Sequence, residues 1–252
     1  MIDEFEFGII ERAMSIVFLV DTSASMGGQK IDDLNRFMAE AVRFVEETAR
    51  KMEIRIPIRV IEFNSEAKWL FGDAENGVEH IDWISLYANT CESTNTSAAI
   101  DLAKSIMNRR ILGERNLRPI VVLVSDGLST DPQKTMDAIE SLKYSLSGSV
   151  NPKKDKVRRI SVCVSGANEN ELIAFSSTEG KTILSNWYIK NEDDLIRHNP
   201  LVLRTEDIEL FGGLLEVLIS YPLPAPVCPE KVEAPVKTVT GGDDDNEDWE
   251  EL

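Results

Sequence analysis

A short apolar segment that ends abruptly in a polar turn is the feature that most restricts the fold of this chain. Residues 15–20 read Ser-Ile-Val-Phe-Leu-Val, and Asp21, Ser23 and Ser25 follow as a D-x-S-x-S sequence. Because the segment shows no alternation of apolar and polar residues, it predicts a strand that is buried on both faces of a parallel sheet. Ligand sites of such sheets lie beyond the carboxyl ends of the strands. We therefore expect a binding site at these three side chains.

Alternating strands and helices are predicted along the rest of the chain. After two glycines, apolar residues at spacings of three and four predict an amphipathic helix from Ile31 to Met52. Further strands are predicted at residues 54–63, 67–71, 119–124, 160–164 and 182–189. Further helices are predicted after Thr96, after Asp131, at residues 168–176 and from Thr205. This alternation predicts an α/β fold, with a doubly wound, mainly parallel sheet flanked by helices.

The same patterns predict the surroundings of individual side chains. Met136, Ile139 and Leu142 are expected to face the core from the helix that they share. The aromatic residues Trp69, Trp83 and Tyr87 are interpreted as packing residues. The polar segment 145–159 is interpreted as a solvated loop. It contains the basic residues Lys153, Lys154, Lys156, Arg158 and Arg159.

The charge and composition of the chain exclude several function classes. A formal net charge of −17 argues against a general nucleic-acid binder and against adsorption to anionic membranes, because phosphate contacts require basic surface. The acidic N-terminus lacks a basic region followed by an apolar run, so we expect no secretory signal, and no apolar stretch approaches the ~20 residues that span a bilayer. Cys91, Cys163 and Cys228 lie far apart and form no C-x-x-C pair. These features favour a cytoplasmic, reducing location.

The composition changes after Pro222, which divides the sequence into a predicted folded domain, residues 1–222, and a tail, residues 223–252. The tail is first rich in proline and then acidic, with nine acidic and two basic side chains. Such a composition buries too little apolar surface to offset the entropy of ordering, so we interpret the tail as disordered. A solubilising role is favoured, and a short binding motif around Trp249 is the alternative.

Three separate segments supply polar side chains to the predicted site. The D-x-S-x-S sequence follows the first apolar strand, Thr94 lies in a polar loop before a helix, and Asp126 follows the apolar strand at 119–124. The candidate metal ligands are Asp21, Ser23, Ser25, Thr94 and Asp126. Two carboxylates and three hydroxyls form an oxygen-only set, which suits Mg²⁺, Mn²⁺ or Ca²⁺ rather than zinc or copper. Because hydroxyls carry no charge, the ion stays electron-poor, and a partner's Glu or Asp carboxylate would complete its shell.

The order of these segments resembles the von Willebrand factor A (vWA) domain, whose metal-ion-dependent adhesion site (MIDAS) is built in the same way. The resemblance covers roughly residues 12–221. Within the family, stand-alone bacterial proteins of the tellurite-resistance-associated TerY type are the most similar, by size and by residues 125–132, which read Ser-Asp-Gly-Leu-Ser-Thr-Asp-Pro.

The resemblance also implies a role for each candidate ligand. Ser23 and Ser25 would bind the ion directly, and Thr94 would bind it directly or through water. The two aspartates would act mainly through water and hydrogen bonds. The family usually has glycine just before the loop threonine and three residues after it, whereas Ser93 and Ser97 stand there in this chain. This departure leaves Thr96 as an alternative to Thr94.

The resemblance implies a non-catalytic protein–protein interaction module that binds an acidic partner residue through the cation. For TerY-type proteins it implies a bacterial stress-response or phage-defence complex, with a kinase, a phosphatase or an ATPase as the partner. The alternative is a Mg²⁺-dependent phosphatase or phosphotransferase of the haloacid-dehalogenase type, which also has an Asp after an apolar strand. That chemistry requires a second Asp two residues after the nucleophile, and Ser23 stands there. The sequence therefore favours the interaction module.

Overall fold

Six strands form one sheet in the computed structural model of the protein, which describes residues 13–91, 93–113, 116–143, 146, 156–178 and 202–220. The strands are β1 Ile16–Asp21, β2 Ile58–Phe63, β3 Ala67–Phe71, β4 Ile120–Ser125, β5 Arg158–Cys163 and β6 Leu203–Arg204. Their order across the sheet is β3-β2-β1-β4-β5-β6. β3 pairs antiparallel with β2, and the other described pairs are parallel. The predicted α/β fold with a mainly parallel sheet is confirmed.

Helices cover both faces of this sheet. They are α1 Gln29–Lys51, α2 Thr96–Ser105, α3 Arg109–Leu112, α4 Pro132–Lys143, α5 Glu169–Phe175 and α6 Ile208–Ser220. On one face, Ile16, Phe18 and Val20 of β1 belong to a buried cluster with apolar residues of α1 and α6. On the other face, Val17 and Leu19 belong to a cluster with residues of α2, α4 and α5. Because successive strand residues point to opposite faces and both faces are covered, residues 16–20 of β1 are all apolar, and only its last residue, Asp21, is polar.

The strand order places the predicted site at a reversal in the sheet. From β1 the chain continues to β2 and β3 on one side, and β4, β5 and β6 extend on the other side. Val20 of β1 pairs with Val124 of β4, so Asp21 is level with Ser125, and Asp126 is the next residue. Ligand sites of open α/β sheets lie at such reversals, beyond the carboxyl ends of the strands. Both candidate aspartates therefore lie where this architecture has its crevice.

Two strands differ from their predicted bounds. β2 begins only after Pro57, which has no backbone N–H for the ladder. β5 begins at Arg158, so the prediction that Arg158 and Arg159 lie in a solvated loop is wrong. Both are buried, and their guanidinium groups donate to the carbonyls of Leu218 and Phe175. These carbonyls lie near the C-terminal ends of α6 and α5, where a positive charge is favourable.

The buried stripe of α4 contains Ile139 and Leu142, as predicted, but not Met136. Thr135, Ala138, Ile139 and Leu142 are buried, at the spacing of three and four residues that one helix face requires. Met136 is 43% exposed, so the prediction that it faces the core is wrong. The helical period places Thr135 and Ala138 on the inward face, and Met136 points away from that face although its apolar side chain is larger.

Other differences concern short or exposed parts of the chain. Tyr87 is 84% exposed, so its interpretation as a packing residue is wrong. The two-residue strand β6 and the single-turn helix α3 carry no sequence period long enough to predict them, and α6 begins at Ile208 rather than at Thr205. Outside the described residues lie the strand predicted at 182–189, the tail predicted at 223–252, and Lys153 and Lys154. Within the described part of the chain, no helix combines the length and the apolar character needed to cross a membrane.

Candidate metal centre

Three loops meet at the carboxyl edge of the sheet, and hydrogen bonds tie them together. The hydroxyl of Ser125, at the end of β4, donates to Oδ2 of Asp21 at 2.7 Å. The backbone N–H of Thr94 donates to Oγ1 of Thr130 at 2.7 Å, and the N–H of Thr130 donates to the carbonyl of Thr94 at 3.0 Å. The loop with Thr94 is thereby fixed to the loop with Asp126. The structure thus brings the three segments that the sequence singled out to one place.

Asp21 is a buried carboxyl whose two oxygens both accept hydrogen bonds. Its side chain has no exposed surface, and Oδ1 accepts the backbone N–H of Ser23 at 2.9 Å while Oδ2 accepts the hydroxyl of Ser125. Burial raises the pKa of Asp21 to about 6, although these hydrogen bonds lower it, and the charge of Asp126 raises it further. The ionised carboxylate is therefore unfavourable here, and a nearby cation would stabilise it.

Ser25 lies on a short 3₁₀ turn, Ala24–Met26, between β1 and α1, and Ser23 is the residue just before this turn. The Oγ atoms of Ser23 and Ser25 are 3.1 Å apart, so the two hydroxyls face the same small volume. Ser23 is buried and Ser25 is exposed, while the fully buried Met26 anchors the turn in the core. Each hydroxyl oxygen has two lone pairs, so both can serve a cation that is also open to solvent on the Ser25 side.

Asp126 and Gly127 form the turn after β4. The carboxyl of Asp126 has no exposed surface; Oδ1 accepts the N–H of Leu128 at 3.2 Å, and Oδ2 accepts the ammonium of Lys30 at 2.7 Å. The carbonyl of Asp126 accepts the N–H of Asn168 at 2.7 Å. Gly127 has a φ of +68°, and a Cβ there would overlap the carbonyl oxygen of Asn168. The Ser-Asp-Gly sequence therefore requires glycine at its third position.

Thr94 and Thr96 are the two candidate ligands of the third segment, and both are buried. Thr94 is buried in the loop before α2, where its backbone is held by Thr130. Thr96 is the first residue of α2 and is 1% exposed, and its buried hydroxyl neither donates nor accepts a hydrogen bond within the described residues. A buried hydroxyl without a partner is as suitable for a cation as the hydroxyl of Thr94. Both threonines therefore stay candidate ligands from this segment.

The family model of the von Willebrand factor type A domain matches residues 15–194. This chain belongs to the vWA family. The matched residues include all three segments of the candidate metal centre. Among curated proteins, none matches this vWA chain.

Solved structures with a similar fold include proximal thread matrix protein 1 from the mussel byssus, with a TM-score of 0.51 at 14% identity over 83% of this chain and 46% of that protein. The mussel protein has also been solved with a zinc-occupied MIDAS motif, with a TM-score of 0.51 at 15% identity over 83% and 46% of the two chains. The manganese-loaded TRAP protein of Plasmodium vivax has a TM-score of 0.55 at 15% identity, over 82% of this chain and 74% of that one. The vWA chain thus spans about half the length of the mussel protein. At these identities, the likeness shows the fold alone.

The sequence did not predict that two further side chains of this vWA domain, Lys30 and Glu171, lie next to the candidate metal centre. Lys30 has the pattern of an ordinary solvent-facing residue on α1, and its contact with Asp126 joins positions 96 residues apart. One feature of the sequence could have drawn attention to Lys30: it lies at the start of a predicted helix, where the helix dipole disfavours a cation. Glu171 has the pattern of a favourable first-turn acid of α5. Neither pattern indicates a contact with the loop after β4, where Lys30 contacts Asp126 and Glu171 accepts the hydroxyl of Ser129 at 2.5 Å.

The oxygen donors of this centre suit a hard divalent cation, although few of them are charged. Within the described residues, no group of three or more His, Cys, Asp or Glu side chains is arranged to hold a metal ion. The segments that meet here carry the hydroxyls of Ser23, Ser25 and Thr94 and the buried carboxyls of Asp21 and Asp126. Hydroxyl and carboxyl oxygens are the donors that Mg²⁺, Mn²⁺ and Ca²⁺ prefer. These residues therefore fit such an ion.

Proposed function

We propose that this vWA domain is a non-catalytic protein–protein interaction module that binds an acidic residue of a partner through a divalent cation. The observation that carries the proposal is the junction of three loops at the sheet reversal, where hydroxyl and buried carboxyl oxygens meet. Domains of this family are generally adhesion or interaction modules without catalytic activity.

Each residue of the centre has a role in this proposal. Ser23, Ser25 and Thr94 bind the cation through their hydroxyl oxygens. Asp21 fixes the turn that carries Ser23 through its bond with the Ser23 N–H, and with Asp126 it supplies negative charge. When bound, the cation supplies Lewis acidity that coordinates an anionic oxygen. The exposed position of Ser25 is the side from which a partner approaches.

The partner ligand that we propose is the carboxylate of a Glu or Asp. Neutral hydroxyls leave much of the charge of the ion unbalanced, so an anionic group is favoured. Leu128, 45% exposed and next to Gly127, offers an apolar contact beside the centre. The chain itself carries a formal charge of −17, which repels an acidic partner at long range. Binding of an acidic group therefore depends on the local charge of the cation.

We propose Mg²⁺ as the resident ion, with Mn²⁺ and Ca²⁺ as alternatives, because the donors are oxygen atoms. The similar structures include a mussel protein with a zinc-occupied MIDAS motif and a manganese-loaded protein of Plasmodium vivax. Zinc is not among the ions that oxygen donors favour, yet it occupies the MIDAS motif of the mussel protein. A titration series for this chain therefore includes Zn²⁺ beside Mg²⁺, Mn²⁺ and Ca²⁺.

We further propose that the chain acts in the cytoplasm, in a bacterial stress-response or phage-defence complex related to tellurite resistance. A kinase, a phosphatase or an ATPase is the proposed partner. The support is the resemblance of residues 125–132 to TerY-type proteins. Nucleic acid and membrane are disfavoured as partners by the acidic charge.

Capture of partners from a lysate of the native host tests this function. We expect partners to be retained in Mg²⁺ and lost both in EDTA and with the variant Ser23→Ala/Ser25→Ala. The control Ser105→Ala/Ser220→Ala removes two exposed hydroxyls at the C-terminal ends of α2 and α6 and should retain the same partners. Partners that bind equally well in EDTA and to the site variant would contradict the proposal.

A further inference from the structure

The ammonium of Lys30 contacts a carboxyl of the candidate metal centre. Its Nζ lies 2.7 Å from Oδ2 of Asp126, whose side chain has no exposed surface, whereas the side chain of Lys30 is 22% exposed. The other oxygen of Asp126 accepts the N–H of Leu128 at 3.2 Å. Both oxygens of this buried carboxyl thus have donors within the chain.

The stability of α1 does not explain the position of Lys30. Gly28, with a φ of +75°, precedes the helix, and Lys30 is its second residue. The first turn is the positive end of the helix dipole, where acidic side chains are favourable and a lysine is unfavourable. The contact with Asp126 is therefore the interaction that favours a cation at this place.

A second buried carboxyl, that of Asp21, lies at the end of the neighbouring strand. It accepts the hydroxyl of Ser125, the residue before Asp126, at 2.7 Å. Lys30 provides one positive charge at this edge of the sheet, and a divalent ion would provide two.

We propose that Lys30 is an internal competitor of the divalent cation: its ammonium holds Asp126 until a metal ion binds, and it leaves this carboxyl when the ion occupies the centre. The inference rests on the metal binding proposed above. An ammonium and a divalent ion at one buried carboxyl repel each other strongly, because the surroundings screen charge poorly. The flexible and partly exposed lysine stem lets the ammonium move into water. Lys30 thereby raises the free metal concentration at which half of the centres hold an ion.

The variant Lys30→Met tests the competition, because methionine keeps an unbranched stem and removes the charge. Calorimetric titration with Mn²⁺ and with Mg²⁺ should show about fivefold tighter binding than to the wild-type chain, the order expected for release of one partly exposed ion pair. Lys30→Arg retains a cation and should stay within about twofold of the wild type.

A matched control separates local competition from the change in net charge. Lys134→Met removes the same charge from an exposed position in the first turn of α4. Because exposed charges are screened by salt, K134M should bind each metal ion within about twofold of the wild type. Only the variant that releases Asp126 should bind the ion more tightly.

Chemical labelling of the wild-type chain provides a second readout. An amine-acylating reagent, with the modified peptides quantified by mass spectrometry, should modify Lys30 several-fold faster in saturating Mn²⁺ than in EDTA. The rate at Lys134 should not change. Should K30M fail to fold, as judged by circular dichroism, this experiment decides the proposal because it uses no variant.

The outcomes separate this inference from the proposed function. If the wild type binds metal ions and K30M binds them no more tightly than K134M, Lys30 is not a competitor and the proposed metal centre stands. An unchanged labelling rate of Lys30 in saturating metal leads to the same conclusion. If neither the wild type nor K30M binds any of the tested ions, the proposed function is wrong, and the inference is wrong with it.

Discussion

At the level of single residues, Asp21 makes the stability of the metal-free domain depend on pH. Burial raises its pKa from 3.8 to about 6. A group whose pKa is higher in the folded protein stabilises the fold fully below the unfolded value, and it loses that contribution as the pH rises through the folded value. In EDTA, Asp21 alone should therefore lower the free energy of unfolding by up to about 3 kcal/mol between about pH 4 and pH 7.

The variant Asp21→Asn separates this effect from the general acidity of the chain, which changes stability in the same direction. Urea denaturation in EDTA at a series of pH values measures both proteins. We expect D21N to lose less stability than the wild type as the pH rises, since asparagine carries no titrating proton. Equal losses would show that Asp21 does not titrate in this range.

At the level of elements, the turn between β4 and α4 depends on a glycine. Gly127 has a φ of +68°, and a Cβ there would overlap the carbonyl oxygen of Asn168. Gly166 has a similar φ of +71°, but a Cβ there would meet nothing within 4 Å. Gly166→Ala should cost about 1 kcal/mol, the strain of a left-handed backbone alone. Gly127→Ala adds a steric overlap and should cost about 3 kcal/mol or more.

Urea denaturation of the two alanine variants measures this difference directly. We also expect G127A, and not G166A, to weaken metal binding, because a shift of this turn moves Asp126. Similar losses of stability in the two variants would mean that the turn moves away from Asn168 without strain.

The elements also show which parts of the fold could be predicted from the sequence. β1 and β4 were predictable because both of their faces are covered, so every residue before the last one of each strand had to be apolar. Arg158 and Arg159 were not, since a sequence gives no sign that carbonyl groups at two helix ends will accept their donors. The contact between Lys30 and Asp126 was equally hidden, because it depends on how α1 lies beside the loop after β4. Local patterns indicated the segments of the centre, and only the packing showed what surrounds each carboxyl.

At the level of the whole molecule, the alternative to an interaction module is an enzyme of the haloacid-dehalogenase type, and the geometry of Asp21 disfavours it. A nucleophilic Asp must reach the phosphate, whereas Asp21 has no exposed surface and both of its oxygens accept hydrogen bonds. The position two residues later, where the second acid of that chemistry would stand, is Ser23. We therefore expect the wild type and D21N to hydrolyse p-nitrophenyl phosphate in Mg²⁺ no faster than buffer. Robust Mg²⁺-dependent turnover that D21N abolishes would replace the interaction module with a phosphatase.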